Sequence, residues 1–284
     1  MKRIIACLAL GLAALYPAQG KFDAVSVELT LDQNQFLPNE DMPVKVRVLN
    51  RSGQDLTLGK EQDWITFSIQ GQQNSMVTKI GDMAVASEFT LHSAEAGRRP
   101  FNLGPFFEFH SPGRYTVTAT VKIPQWNQQT TSNPVAFSIV DGVRVANVPE
   151  MVVGVPPLPG EEKQPPQLRK YLLEKISGAA DSKLYARVLD AATGRTVRVL
   201  TLDKLLTFSE PEAQIDRFSN LHTLHQTGAQ SFTHCVISPR GQLLERTTYD
   251  YTRTRPTLSM DASGMISVEG GVRRYTSRDI PPNN

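Results

Sequence analysis

The chain has 284 residues, of which 40% are hydrophobic and 20% are charged, a balance typical of globular proteins. Its formal net charge is only +2 at pH 7. So small a charge argues against nucleic acid or an anionic membrane surface as the partner.

Residues 1–20 have the layout of a secretory signal peptide. Residues 1–3 are a basic start, residues 4–16 are apolar, and residues 17–20 (Pro-Ala-Gln-Gly) supply a helix breaker and small residues for cleavage. The apolar run has about thirteen residues, fewer than the roughly 18 that a membrane-spanning helix needs. We therefore expect export to the periplasm, the cell surface or the medium, with no integral membrane segment after cleavage.

Cleavage after Gly20 would change both the charge and the cysteine content. Loss of Lys2 and Arg3 leaves basic and acidic residues equal at 28 each, and loss of Cys7 leaves Cys235 alone. A single cysteine cannot form an intramolecular disulfide, so the core alone must hold the exported chain together. We expect Cys235 to be a buried small hydrophobe on a strand; a reactive thiol or an intermolecular bridge is the alternative.

Residues 21–148 have the pattern of a β-sandwich. Residues 25–31, 43–49 and 115–121 alternate apolar and polar side chains with period two, which indicates half-buried strands. About seven short strands separated by turns are typical of a sandwich. Weaker strand candidates lie at 64–69, 85–91 and 106–109, and a strand at 135–140 closes the set.

Two short motifs add detail to this sandwich. Residues 111–115 (Ser-Pro-Gly-Arg-Tyr), which open a strong strand, resemble the tyrosine corner of immunoglobulin-like domains. Phe36-x-Pro-x-Glu40, followed by a strand that ends at residues 50–53, resembles exported bacterial immunoglobulin-like modules. The resemblance implies an immunoglobulin-like β-sandwich whose Tyr115 hydroxyl bonds nearby backbone, and it implies no particular activity. The paired cysteines of antibody domains are missing.

Residues 149–167 are rich in proline and are predicted to be an extended linker between two domains. Its apolar piece, Met151-Val152-Val153, could dock against one of them. Residues 168–276 are predicted to be an antiparallel β-meander domain, either an open sheet or a small second sandwich. Residues 277–284 are predicted to be a disordered tail.

Three turn signatures support the meander. Residues 190–194, 238–241 and 261–264 each begin with a polar residue and end with a glycine. Each of them lies between two segments in which apolar and polar residues alternate. Residues 168–176 fit either one face of a helix or a strand, and the short break that follows them favours the strand. The predicted fold class is therefore all-β throughout.

The histidines are the one cluster with metal-ligand residue types. His222 and His225 lie three residues apart, and His234 directly precedes Cys235. On a strand, residues three apart point to opposite sides, so His222 and His225 are not expected to bind one ion. We expect hydrogen-bonded sheet histidines, with no metal and no cofactor.

Catalytic motifs are missing from the sequence. It contains no Gly-x-Ser-x-Gly elbow, no His-Glu-x-x-His helix and no Cys-x-x-Cys pair. Glu210, Glu212 and Asp216 could form a pair of glycosidase carboxylates, but a solvated loop entering a strand is the commoner role for such residues. No catalytic residues are predicted, and the chain is not expected to be an enzyme.

The best ligand candidates are Trp126, Asn127 and Gln128, in the connection between the last two strands of the sandwich. Loops at one end of a sandwich often carry recognition, and an aromatic ring among amides suits sugar stacking or a protein contact. Alternatively, Trp126 folds back over the end of the sheet. Four phenylalanines could form an exposed patch, although core filling is favoured: Phe101, Phe106, Phe107 and Phe109.

Together these features predict an exported, non-catalytic binding or structural protein of the periplasm or cell surface. Its partner would be another envelope or extracellular protein, or a surface glycan. One alternative is a carbohydrate-active hydrolase with an accessory sandwich. Another is a periplasmic assembly factor that pairs an exposed strand edge with a client.

Overall fold

The computed structural model describes residues 24–72, 75–109, 111–158, 160, 165–177, 182–206 and 209–281. These residues form β-strands joined by turns and short 3-10 segments, which confirms the predicted all-β fold class. Within them, no helix is long and apolar enough to cross a membrane. The predicted signal peptide, residues 1–20, lies outside the described residues.

The N-terminal half contains two main sheets. One has the strand order β1-β3-β7 and the other β2-β10-β8-β5, with β9 also paired to β8, while β4 and β6 form a separate pair. All of these pairs are antiparallel except β2 with β10. The strands are β1 (Val25–Leu31), β2 (Gln35–Phe36), β3 (Pro43–Asn50), β4 (Leu56–Leu58), β5 (Ile65–Gln70), β6 (Phe89–Leu91), β7 (Ala96–Asn102), β8 (Gly113–Ile123), β9 (Gln128–Thr131) and β10 (Val135–Ile139).

The period-two pattern explains how these two sheets enclose a core. Val44, Val46 and Val48 alternate along β3 and are almost completely buried, with polar residues between them. Val117 and Val121 on β8 are buried in the same hydrophobic cluster. Each sheet therefore buries one face, as the sequence predicts for a sandwich.

The tyrosine-corner hydrogen bond is present. The Tyr115 hydroxyl donates to the Ser111 carbonyl at 2.6 Å, while its ring stacks on Phe137. Tyr115→Phe keeps the ring and removes the hydrogen bond, so it should lower the free energy of unfolding by about 1 kcal/mol. Urea denaturation measures this, with Tyr251→Phe as the control at a partly exposed tyrosine. Equal stability of the two variants would contradict the stabilising role of this bond.

The C-terminal half continues with two further sheets. Their strand orders are β11-β13-β14-β15, with β12 on β13, and β16-β17-β18-β19-β22, while β20 and β21 form a hairpin. Strands from β13 to β15 and from β16 to β19 are antiparallel neighbours in chain order, as in a meander. The strands are β11 (Val143–Arg144), β12 (Met151–Gly154), β13 (Leu168–Ser177), β14 (Ser182–Asp190), β15 (Thr196–Leu205), β16 (Glu212–Ile215), β17 (Leu221–Gln226), β18 (Ser231–Ile237), β19 (Leu243–Asp250), β20 (Thr257–Met260), β21 (Ile266–Glu269) and β22 (Val272–Arg274).

These two sheets pack face to face, so the second half is a closed sandwich and not an open sheet. Tyr171 and Leu202 from one sheet share a buried cluster with Leu221, Cys235 and Ile237 from the other. Cys235 is completely buried, and burial raises the pKa of its thiol to about 11. The interpretation of Cys235 as a buried small hydrophobe is confirmed.

Segments assigned to the linker and the tail have defined partners. Met151–Gly154 pairs with β13, so the apolar piece of the predicted linker docks on the second sandwich. Val143–Arg144, inside the predicted first domain, pairs with the same strand. In the predicted tail, Asp279 accepts a hydrogen bond from the Thr248 hydroxyl, and the Arg246 amide donates to the Ile280 carbonyl at 2.9 Å.

The turn after β2 joins the two sandwiches. Leu37 packs in a buried cluster with Ile176, Tyr185 and Val199 from the second half. Next to it, the buried Glu40 carboxylate accepts hydrogen bonds from the Thr201 hydroxyl and the Leu37 amide, both at 2.8 Å. Burial raises the pKa of Glu40 above its ordinary value. This contact between the halves is thus both apolar and hydrogen-bonded.

Candidate functional site

The predicted ligand loop lies at the end of β8. Trp126 is half-buried and packs against the core of the first sandwich, so its ring folds back over the sheet end. Asn127 adopts a left-handed conformation with φ of 47° and donates its amide proton to the Pro124 carbonyl. Gln128 is exposed and begins β9. Ligand binding by Trp126, Asn127 and Gln128 stays a prediction.

A different surface of the first sandwich has the features of a binding site, and it begins at β5. β5 is the edge strand of its sheet. On its inner side, the Lys122 amide donates to the Trp64 carbonyl at 2.8 Å. Because hydrogen-bonded residues alternate along an antiparallel ladder, Thr66 also faces β8, whereas Ile65 and Phe67 direct their backbone groups outward. Of these two, Phe67 is half-buried and can pair with an added strand, whereas Ile65 is 3% exposed and lies in the core.

An extended segment of the same chain covers the far end of this edge. The Val77 amide donates to the Ile69 carbonyl at 2.9 Å. The segment then turns away from β5, and the Ile80 amide donates to the Phe106 carbonyl at 2.9 Å. The half of the β5 edge at Ile69 is consequently paired with the chain's own backbone, and at Phe67 no outward backbone pairing occurs among the described residues. We call the part at Phe67 the open half.

A groove of about 490 Å³ lies beside the open half of the edge. Phe67, Met83 and Phe106 are half-buried on its walls. The Lys79 ammonium pairs with the Asp82 carboxylate at 2.7 Å on its rim. The groove therefore combines an apolar interior with a polar margin, as ligand sites commonly do. Its apolar lining consists of Ile65, Phe67, Met83, Val85, Phe106 and Phe107.

The phenylalanines singled out in the sequence divide between core and groove. Phe107 is buried, while Phe101, Phe106 and Phe109 pack partly against the core, which confirms the core-filling interpretation. Phe106 and Phe107 also line the groove. The sequence indicated that these rings could be partly exposed, but it did not indicate which strand edge they accompany.

The three carboxylates considered for hydrolysis have separate surroundings. Glu210 is exposed, and Glu212 accepts a hydrogen bond from the Leu258 amide at 2.8 Å, which fixes the β20–β21 hairpin. Buried Asp216 accepts from the Phe218 amide at 2.9 Å and from the Asn220 amide at 2.8 Å. Glu212 and Asp216 thus hold turns and strands in place.

Asp216 also ends a chain of buried polar groups on the outer face of β17 and β18. His222 Nε2 lies 3.3 Å from Asp216 Oδ2, and His222 Nδ1 lies 3.1 Å from His234 Nε2. His234 Nδ1 lies 3.2 Å from the Thr247 hydroxyl. Burial lowers the pKa of both histidines, that of His234 to about 3, so both rings are neutral at pH 7. These two are the hydrogen-bonded sheet histidines that the sequence predicts.

His225 differs from that prediction. It lies on the opposite face of β17 from His222, as expected, but neither of its ring nitrogens has a hydrogen-bond partner within the described part of the chain. Burial lowers the pKa of His225 to about 4. Nowhere in the described ranges do three or more His, Cys, Asp or Glu side chains form a group that could hold a metal ion.

Comparison with known proteins places the chain in no family. No family model matches it, and no curated protein matches it. Among solved structures it is similar to the crystal structure of Spo0M, a sporulation control protein from Bacillus subtilis, with a TM-score of 0.32 and 12% sequence identity. The similarity covers 61% of this chain and 83% of Spo0M. A TM-score of 0.32 supports no inference about function.

Proposed function

We propose that this chain is an exported, non-catalytic binding protein of the cell envelope or medium whose β5 groove takes an extended segment of a partner protein. The observation that carries the proposal is the open half of the β5 edge at Phe67, which lies beside an apolar groove. The proposal combines two predictions from the sequence: a binding role, and the pairing of an exposed strand edge with a client protein.

Strand addition suits both components of this surface. Backbone hydrogen bonds to Phe67 supply affinity, while alternate side chains of the added strand enter the groove and supply selectivity. The segment that begins at Val77 shows that the same edge accepts extended backbone. A partner with apolar residues at every second position fits the lining around Met83 and Phe106.

A charge in the groove wall should weaken this binding. Met83→Lys places an ammonium among apolar side chains, so affinity for a displayed heptapeptide selected on the wild-type protein should fall at least tenfold, about 1.4 kcal/mol. Met76→Lys is the matched control, because Met76 is 61% exposed and lies outside the groove lining. Fluorescence anisotropy measures both affinities, and thermal melting establishes that both variants fold.

Hydrogen exchange distinguishes strand addition from other contacts. On peptide binding, the amide of Phe67 should gain protection, whereas that of Thr66, already paired with β8, should change little. A failure to select any peptide, or equal affinity of the Met83 and Met76 variants, would reject the proposal. Retention on a glycan column that Trp126→Ala removes would favour the surface glycan as the partner instead.

A further inference from the structure

A second cavity, of about 360 Å³, lies in the C-terminal sandwich. It opens between the end of β15, the turn that joins β17 to β18, and the residues that follow β22. Its lining includes the guanidinium groups of Arg246, Arg274 and Arg278, a single carboxylate, Asp203, and hydroxyl groups from several threonines and serines. A lining of this composition favours an anionic, oxygen-rich ligand.

Two of the three arginines have carboxylate partners. Arg274 Nε lies 2.9 Å from Asp250 Oδ2, and Arg278 Nη1 lies 3.1 Å from Asp203 Oδ2. Both arginine side chains are about half exposed or more, so water competes in these pairs and additional ligand contacts remain accessible.

Arg246 is held differently, because it donates to neutral groups. Its Nη2 donates to the carbonyls of Thr201 and Leu202, each at 3.1 Å. Its Nε is buried and has no hydrogen-bond partner within the described ranges. Within the described ranges Arg246 thus forms no ion pair, although the Asp203 carboxylate belongs to the same cavity lining.

His225, next to the lining residue Thr233, is a second buried polar group without a hydrogen-bond partner in the described ranges. Its side chain is 1% exposed, it lies opposite Thr233 in the β17–β18 ladder, and it experiences the charges of Asp203 and Arg246. Thr233, Asp203 and Arg246 all line the cavity. Buried polar groups are nearly always hydrogen-bonded, to protein, water or ligand. His225 on β17 and Arg246 on β19, the strands on either side of β18, thus both have polar atoms without partners beside this cavity.

We infer that this cavity binds a tetrahedral oxyanion, a phosphate or sulfate group, through Arg246, Arg274 and Arg278. Guanidinium groups form paired, charge-assisted hydrogen bonds to such oxygens. The space of about 360 Å³ accommodates a group attached to the oxyanion as well as the oxyanion itself. We therefore assign the oxyanion to a small organic monoester, which the probes below distinguish from a free inorganic anion. This site is separate from the β5 groove and does not depend on the function proposed for it.

Calorimetric titration of the full chain tests the inference with three probes: inorganic phosphate, inorganic sulfate and glycerol 3-phosphate. We expect glycerol 3-phosphate to bind more tightly than either inorganic anion. The double variant Arg274→Gln/Arg278→Gln should weaken its binding at least tenfold. Arg195→Gln, at an exposed arginine outside the cavity, should leave it unchanged.

Asp203→Asn should change the affinity for glycerol 3-phosphate in the opposite direction. Removal of the lining carboxylate frees Arg278 and removes repulsion, so affinity for glycerol 3-phosphate should rise several-fold. Thermal melting without ligand establishes that each variant folds. Absence of binding by all three probes, or equal loss in the Arg195 and Arg274/Arg278 variants, would overturn the inference. Tighter binding of inorganic phosphate than of the monoester would overturn the assignment of an organic carrier.

Discussion

Lowering the pH from 7 to 5 should destabilise the second sandwich by about 2 kcal/mol through His225 alone. Unfolded histidine titrates near 6.5, while burial lowers the pKa of His225 to about 4. Between these values the unfolded chain binds a proton that the folded chain does not, so this contribution to stability is complete above pH 6.5 and is lost as the pH falls toward 4. His234, with its pKa lowered to about 3, adds a loss of similar size.

Two carboxyls, one buried and one partly buried, act in the opposite direction. Burial raises the pKa of Glu40 and of Glu245, so each favours the folded state as the pH falls. The histidine contribution is therefore measured as a difference between variants. His225→Leu should remove about 2 kcal/mol of the loss between pH 7 and pH 5 in urea denaturation, and it should stabilise the protein at pH 7 because both ring nitrogens lack partners.

His92→Gln is the control for this experiment. His92 is exposed, and its pKa is raised by the hydrogen bond to Asp55, so it does not contribute to acid destabilisation. An unchanged pH dependence in His225→Leu would show that His225 is not buried in its neutral form.

Tyr185→Ala should uncouple the two sandwiches. Tyr185 is 1% exposed and packs with Leu37 of the first half and with Ile176 and Val199 of the second. Truncation of a buried aromatic side chain costs roughly 3–5 kcal/mol. Because this ring fills the contact between the halves, its loss should both destabilise the second sandwich and let the first unfold independently.

The tryptophans make this measurement direct. The chain has 2 tryptophans, Trp64 and Trp126, and both lie in the first sandwich, so their fluorescence reports on that half alone. Circular dichroism reports on both halves. In urea, the two signals should change together in the wild-type protein and separately in Tyr185→Ala. Coincident transitions in the variant would contradict the coupling role, and Tyr275→Ala, at an 85% exposed ring, should change nothing.

The local sequence pattern predicted the strands and turns well, because each of them depends on residues that are close in sequence. The alternation in β3 and β8 fixed which side chains face the core, and the residues before Tyr115 fixed the turn that its hydroxyl closes. The position of β5 at an open edge depended on strand order, which short-range periodicity does not carry. The groove therefore did not appear in the sequence as a motif.

The contact between His222 and His234 shows what strand register contributes beyond the local sequence pattern. His222 and His234 meet diagonally because β17 and β18 pair with Gln226 opposite Phe232. Counting residues back along both strands from the turn between β17 and β18 places these two side chains on the same face of the sheet. The sequence of β17 also indicated a closed second sandwich, because apolar and polar residues do not clearly alternate in it. The structure buries this strand on both faces.

The burial of Cys235 has a practical consequence. Its thiol is fully enclosed between the two sheets, and its raised pKa keeps it protonated at pH 7. An alkylating reagent can therefore attack it only while the sheets are apart, since the thiolate is the reacting form. The rate of alkylation of Cys235 under native conditions would therefore measure how often this half of the molecule opens spontaneously, without an added label or a substitution.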